Sequence, residues 1–274
     1  MLAYFKKYFL RRNALRITAE YPSKLQKFEI HGLGEIEFET WENPLVQPFA
    51  ITTEMVDFFR SYIKSGDLVI DIGAHIGDTT VPMALVAGPS GLALGFDPNP
   101  FVFKLLEKNA HLNKGLLNII PIRNAITTQD EEFFYISSEA SFANGGISKT
   151  QKSSHGKYIF PDKIQGINLL KYLEGNHADK LGKLSFVKID TEGYDKEIIK
   201  SISDLLVKYK PTLVVESFGK APKEAKLELY DLVSNLGYKI SYFSDFSSLA
   251  DLKKLKHRNN ILDYTKTINI ICTP

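Results

Sequence analysis

Short apolar runs alternate with helical-period stripes over most of this chain. Residues 68–70 form one such run, and Gly73 and Gly77 follow it before a helical pattern that continues to about Ala87. The next two runs lie at 92–96 and 118–122. Between them, residues 101–112 place Phe101, Leu105 and Leu106 on one helical face. The alternation resumes with strands predicted at 184–189 and 212–215 and helices at 198–207 and 227–236, the second ended by Gly237. Residues 238–243 and 267–272 supply two last strands. Strands that are apolar throughout, each followed by an amphipathic helix, indicate an α/β fold whose mostly parallel sheet is covered on both faces. Ligands in such sheets bind at the carboxyl ends of the strands, near the point where the strand order reverses.

Two regions depart from that pattern. Upstream, Phe28 and Ile30, then Ile36 and Phe38, alternate around His31-Gly32-Leu33-Gly34, which predicts a hairpin over 28–41. Thr52 or Thr53 caps a helix that carries Met55, Phe58, Phe59 and Tyr62 and ends near Gly66. The expected organisation is a helix/hairpin extension over 1–50 and an α/β domain over 51–274. Downstream, residues 137–156 hold six Ser, three Gly and one Asn, so they are expected to form a loop that covers a substrate.

Composition agrees with a globular fold. The chain has 274 residues, 44% hydrophobic and 24% charged, enough for a core that needs no staples. Cys272 is the single cysteine, which excludes an internal disulfide and multi-cysteine metal sites and suits a reducing, cytoplasmic setting. The net charge of +2 is too small to indicate a nucleic-acid partner on bulk charge. Its distribution is uneven, because Lys6, Lys7, Arg11, Arg12 and Arg16 precede the first acid, Glu20. Leu2, Phe5, Phe9 and Leu10 recur at helical spacing among them, which predicts a short basic amphipathic helix. The simpler reading packs it on its own domain with a solvated basic face. The alternative lays residues 1–16 on an anionic membrane surface or on a partner. Charges interrupt any apolar stretch there, so it is not a secretory signal, and no uncharged apolar run reaches the roughly 18 residues of a membrane span. A soluble protein, peripheral to a membrane at most, is expected.

The chemistry concentrates at strand ends. Residues 69–78, VIDIGAHIGD, take a strand through an acid into a glycine-punctuated helix start, where free N–H groups can meet a carboxylate. The glycines fall at i and i+4, which does not match the i, i+2, i+5 dinucleotide fingerprint, and no P-loop follows. Residues 95–100, GFDPNP, put Asp97 at the tip of the next strand, where a carboxylate can take both hydroxyls of a ribose. Arg123-Asn124-Ala125 ends the third strand, offering a polar side chain to an adenine edge. Residues 186–194, FVKIDTEGY, gather Lys188, Asp190, Glu192 and Tyr194 at one tip, and Glu216 ends the neighbouring strand. Paired acids there can act as a general base or hold a divalent cation, and one of Asp190 and Glu192 can instead cap the following helix.

As an ordered set, residues 70–77, 95–100 and 187–194 resemble the signature of FkbM-type methyltransferases, over roughly residues 52–218. The resemblance implies a three-layer, Rossmann-like class I methyltransferase sheet of seven strands with the last antiparallel. It also implies transfer of a methyl group from S-adenosylmethionine to oxygen, often a sugar or polyketide hydroxyl. By the same resemblance Asp71, Gly73, Ala74, His75 and Gly77 would line the methionine half of the cofactor, Asp97 would hold the ribose, and Pro98, Asn99 and Asn124 would sit near the adenine. Asp190 and Glu192 would meet the acceptor, with Glu216 as a further ligand if a divalent metal takes part. His75 stands where the family commonly has Asn, and Asp97 where it commonly has Glu. The acceptor is expected to be a small molecule or glycan. The alternatives are an RNA or protein substrate, reached through basic residues such as Lys253, Lys254 and Arg258, and a non-catalytic nucleotide-binding subunit.

Overall fold

The computed structural model describes residues 2–152, 156–191, 193–219, 221–247 and 252–274, with the side chains of all of these but residues 2–4, 6 and 7. After helix α1 (Leu2–Ala14) come the hairpin β1 (Ser23–Ile30) and β2 (Gly34–Trp41) and helix α2 (Thr53–Arg60). The alternating part begins with β3 (Leu68–Ile72), α3 (Thr80–Ala87), β4 (Leu92–Phe96), α4 (Pro100–His111) and β5 (Ile119–Ile122). Four further strands follow: β6 (Ala125–Ile126), β7 (Glu132–Ser137), β8 (Gly146–Ser148) and β9 (Tyr158–Ile167). The chain then runs through α5 (Leu169–Asn176), β10 (Leu184–Ile189), α6 (Asp195–Ser201), α7 (Ser203–Tyr209) and β11 (Thr212–Ser217). It closes with α8 (Lys223–Asn235), β12 (Lys239–Phe243), β13 (Lys253–Lys254) and β14 (Ile268–Thr273).

The main sheet has the order β13-β12-β14-β11-β10-β3-β4-β5. Strands β3, β4, β5, β10 and β11 are parallel, and β14 runs antiparallel to both β11 and β12. This is the expected α/β architecture with its antiparallel last strand, plus the two-residue edge β13. From β3 the chain steps outward through β4 and β5, then returns to build β10 and β11 on the other side. The strand order therefore reverses between β3 and β10, and that crevice is where a ligand site is expected.

Strand residues divide by parity between two cores. Ile70, Ile72, Leu94, Phe96, Val187 and Ile189 face a layer formed by α5 to α8, including Leu173, Ile199, Leu206 and Val233. Val69, Ala93, Phe186 and Val214 face α2, α3, α4 and the hairpin, among them Phe58, Phe59, Val81 and Leu105. Because successive strand side chains point to opposite faces, wholly apolar strands require helices on both sides.

The hairpin shares the second core through Ile30, Ile36, Phe38 and Trp41. Two side chains, one from α4 and one just beyond its end, also take the place of a neighbouring strand. Asn113 accepts from the Glu37 N–H (2.7 Å) and donates to its carbonyl (2.8 Å). Asn109, one turn earlier, does the same for Glu39 at 2.7 and 3.1 Å. Two side-chain amides at i and i+4 thus satisfy alternate backbone groups along the free edge of β2.

Residues 137–156 are more deeply packed than the expected loop. The described part turns inward: Ala140, Ser141, Phe142 and Ala143 are buried, and β8 joins a second sheet of order β6-β9-β7-β8. The reason is Phe142, which stacks on Phe101 (centroids 5.2 Å apart) and meets Phe160 edge-on at 6.2 Å. Polar composition hid one aromatic anchor. The helix expected over 198–207 is likewise two helices, with Ile202 at the end of α6 and the start of α7.

Candidate active site

Three strand tips meet in one knot of backbone bonds. At the end of β3, the N–H groups of Gly73 and Ala74 both donate to the Phe96 carbonyl of β4, at 2.9 and 3.0 Å. The Asp190 N–H, leaving β10, donates to Ile72 O at 2.9 Å. Gly73 sits at φ +81°, and a Cβ there would lie 1.8 Å from the Asp190 carbonyl oxygen, so no side chain can occupy the position. A cavity of about 370 Å³ opens over this knot. Its wall includes Gly73, His75, Asp78, Asp97, Pro98, Asn99 and Asn124 from the β3, β4 and β5 side, and Lys188, Asp190, Thr191, Tyr194 and Glu216 from the other.

Asp71 belongs to the floor and not to the cavity wall. It is fully buried, and its Oδ2 accepts from the hydroxyls of Thr79 and Thr80, each at 2.7 Å. The register places Lys188 beside it on β10, and the ammonium lies 3.3 Å from Oδ1. Lys188 also donates to Gly73 O (3.4 Å) and lies 3.5 Å from Asp190. Burial opposes the ammonium charge, but the carboxylates of Asp71, Asp190 and Asp78 outweigh it and hold the Lys188 pKa above its ordinary value. Ala74 and Gly77 are also absent from the wall. Gly77, at φ +93°, turns the chain over Leu106 before the helix.

Asp97 is placed differently. It is 7% exposed, and its two oxygens accept one backbone N–H each, from His75 (2.7 Å) and Asn99 (2.8 Å). Burial nevertheless pushes its pKa up to about 7, the two hydrogen bonds only partly opposing it. A carboxylate has about four lone-pair sites, so Asp97 retains acceptor capacity at the wall. His75 adopts φ +49°, and burial lowers its pKa, so its ring is a neutral hydrogen-bonding group near Trp41. Asn99 caps α4 by accepting from the Phe101 N–H (3.0 Å), and it donates to Phe142 O at 2.8 Å. Asn124 donates to Gln165 O at 3.0 Å.

On the other side of the crevice, Asp190 keeps 38% of its side chain exposed. It does not cap the next helix. The turn before α6 is held instead by buried Asp195, which accepts from the Thr191 N–H and hydroxyl (3.0 and 3.2 Å) and the Gly193 N–H (3.2 Å). Glu192 lies outside the described residues. Among the described residues, no group of three or more His, Cys, Asp or Glu could hold a metal ion. Lys188, which the sequence places in the strand-tip cluster, lies on the wall, and Asp78, to which the sequence assigns no role, joins it there. Asp78 is a wall residue whose pKa burial raises, and its signal was its place one residue beyond Gly77 at a strand-to-helix turn.

Residues 71–240 match the family model described as the methyltransferase FkbM domain. The chain is 22% identical over 220 residues to the hexuronic acid methyltransferase AglP of Haloferax volcanii, covering 78% of this chain and 81% of that one. It is 34% identical over 135 residues to a probable cobalt-precorrin-6B C(15)-methyltransferase (decarboxylating) of Saccharolobus solfataricus, covering 47% of this chain and 65% of the relative. Among solved structures it is similar to the FkbM methyltransferase of Methylobacillus flagellatus, with a TM-score of 0.47 and 12% identity. That match covers 80% of this chain and 51% of the other, so the present chain spans about half its length.

Proposed function

This chain belongs to the FkbM methyltransferase family and is an S-adenosylmethionine-dependent methyltransferase; from that premise we propose that it methylates a hydroxyl oxygen of a small molecule or glycan. The cavity suits the cofactor. Asp78, Asp97, Asp190 and Glu216 bring carboxylates to its wall, and the one ammonium among its described residues, Lys188, is held by Asp71 and Asp190. Such a wall favours a cationic ligand. Asp97 would accept the ribose hydroxyls, Pro98 and Asn124 would border the adenine, and the Gly73–His75 turn would border the methionine part. When bound there, S-adenosylmethionine supplies an electrophilic methyl group.

The residues of the chain then have two tasks, alignment of the acceptor and removal of its proton. Asp190 carries the second. It stands at the tip of β10 as a half-buried carboxylate of the crevice, anchored from below by Lys188 at 3.5 Å. Its carboxylate would take the hydroxyl proton as the oxygen–carbon bond forms, and Glu192 is the second candidate for that role. The hexuronic acid methyltransferase of Haloferax volcanii supports a sugar-type acceptor.

The test is methyl transfer to a panel of hexuronates, neutral glycans, RNA and protein, with the methylated atom located by NMR. A methyl ether on a sugar oxygen is the expected product. Label on RNA, protein, nitrogen or carbon overturns the reading. Asp190→Asn should lower kcat by about 100-fold or more, the usual worth of a positioned base, and leave S-adenosylhomocysteine affinity within about twofold. An unchanged kcat removes Asp190 from this role.

A further inference from the structure

The N-terminal helix presents a surface that methyl transfer does not use. Six of the nine large hydrophobic side chains exposed among the described residues lie within the first 17 positions: Phe5, Tyr8, Phe9, Leu10, Leu15 and Ile17. Scattered exposed apolar residues need no explanation, but a contiguous group marks an interaction surface. Helix α1 is tethered by its end. Ala14 is fully buried, its carbonyl accepts from the Ser141 N–H at 2.9 Å, and the Leu15 carbonyl accepts from the Ala140 N–H at 3.4 Å. At about 100° per residue, Phe5 and Phe9 fall on the side of the helix away from Ala14, and Arg12 falls beside them. The aromatic stripe therefore points away from the body of the protein.

Charge identifies what can cover it. The first 19 residues carry five basic side chains and no acid. None of the ion pairs among the described residues involves Arg11, Arg12 or Arg16. Exposed aromatics flanked by unpaired arginines match the interface of an anionic bilayer, where the rings enter the headgroup region and the cations meet lipid phosphates. At 13 residues α1 is too short to span, and no helix among the described residues is long and apolar enough to cross a membrane.

We propose that α1 docks this protein on anionic lipid surfaces, lying in the plane of the interface. The helix hangs from residues 140 and 141, and Ala143, Asn144 and Gly145 directly beyond them line the cavity. The full chain should co-float with vesicles of phosphatidylcholine and phosphatidylglycerol and not with phosphatidylcholine alone, and high salt should suppress the binding. Each basic side chain near such a surface strengthens partitioning about fivefold, so Arg11→Gln/Arg12→Gln should weaken it about 25-fold. Phe5→Glu/Phe9→Glu should abolish it. Both variants should melt like the parent chain and methylate a soluble acceptor at its rate. Equal binding to neutral vesicles, or variants that bind like the parent, overturns the proposal. So does a parent chain that dimerises through α1 and stays off vesicles, or one that binds RNA and stays off vesicles.

Discussion

Two neighbouring strand tips each end in an aspartate, and the structure gives the two carboxylates opposite roles. Asp71, at the end of β3, is held by three side-chain donors: two threonine hydroxyls on one oxygen and the Lys188 ammonium on the other. Asp97, just past β4, has only two backbone N–H groups, and burial pushes its pKa up to about 7. The register explains the difference. Asp71 lies one position before the end of its strand, opposite Lys188, and so inside the sheet's ion-pair layer. Asp97 lies one position beyond its strand, facing the cavity. A carboxylate surrounded by side-chain donors builds the floor, and one held only by main chain remains available to a ligand.

The most severe way to break this arrangement is Gly73→Ala. Its Cβ would collide with the Asp190 carbonyl at 1.8 Å, and φ +81° adds strain. The tips of β3 and β10 must separate, so a stability loss above about 4 kcal/mol is expected in urea titrations, together with loss of cofactor binding. A near-native midpoint would show that the tips are not rigidly joined.

The isosteric pair Asp71→Asn and Asp97→Asn tests the comparison directly. Asp71→Asn leaves Lys188 short of a partner in a buried site, so stability should fall by about 3 kcal/mol. Asp97→Asn keeps one acceptor oxygen and should mainly weaken S-adenosylhomocysteine binding by about 1.5–3 kcal/mol, the worth of hydrogen bonds to a charged acceptor. Equal destabilisation by the two would erase the distinction between floor and wall.

A pH series sharpens it further. The ionised form of Asp97 is the one that accepts ribose hydroxyls, so cofactor affinity should fall by up to about tenfold per unit below the carboxyl pKa of about 7 and level off above it. Calorimetry from pH 6 to 8.5 measures this, and Asp97→Asn should flatten the profile. The stability linkage of the unliganded protein has the opposite sign. Because the folded-state pKa is raised, the stability Asp97 contributes is full below its unfolded value near 3.8 and is lost as pH rises through about 7.

Much of this was legible along the chain. Apolar strands of four to six residues, each followed by a helical stripe, required a sheet with two covered faces, and Val69 and Ile70 indeed face different cores. Acids at strand ends marked the crevice, because a packing role does not need carboxylates at several neighbouring tips. Other features were out of reach for physical reasons. Residues 137–156 read as a loop because Ser and Gly dominate them, whereas Phe142 finds Phe101 some forty residues away. Asp195 was hidden because two of its three donors, the Thr191 and Gly193 N–H groups, are specified by backbone shape and not by residue type.

By itself, the sequence determined the α/β class, the position of the crevice and the family, because these follow from periodicity and from motifs local in the chain. Only the tertiary structure decided which aspartate faces a ligand. Asp71 and Asp97 look alike in sequence, and the choice between them depends on Lys188, 117 residues from Asp71 along the chain and 3.3 Å from it in the sheet.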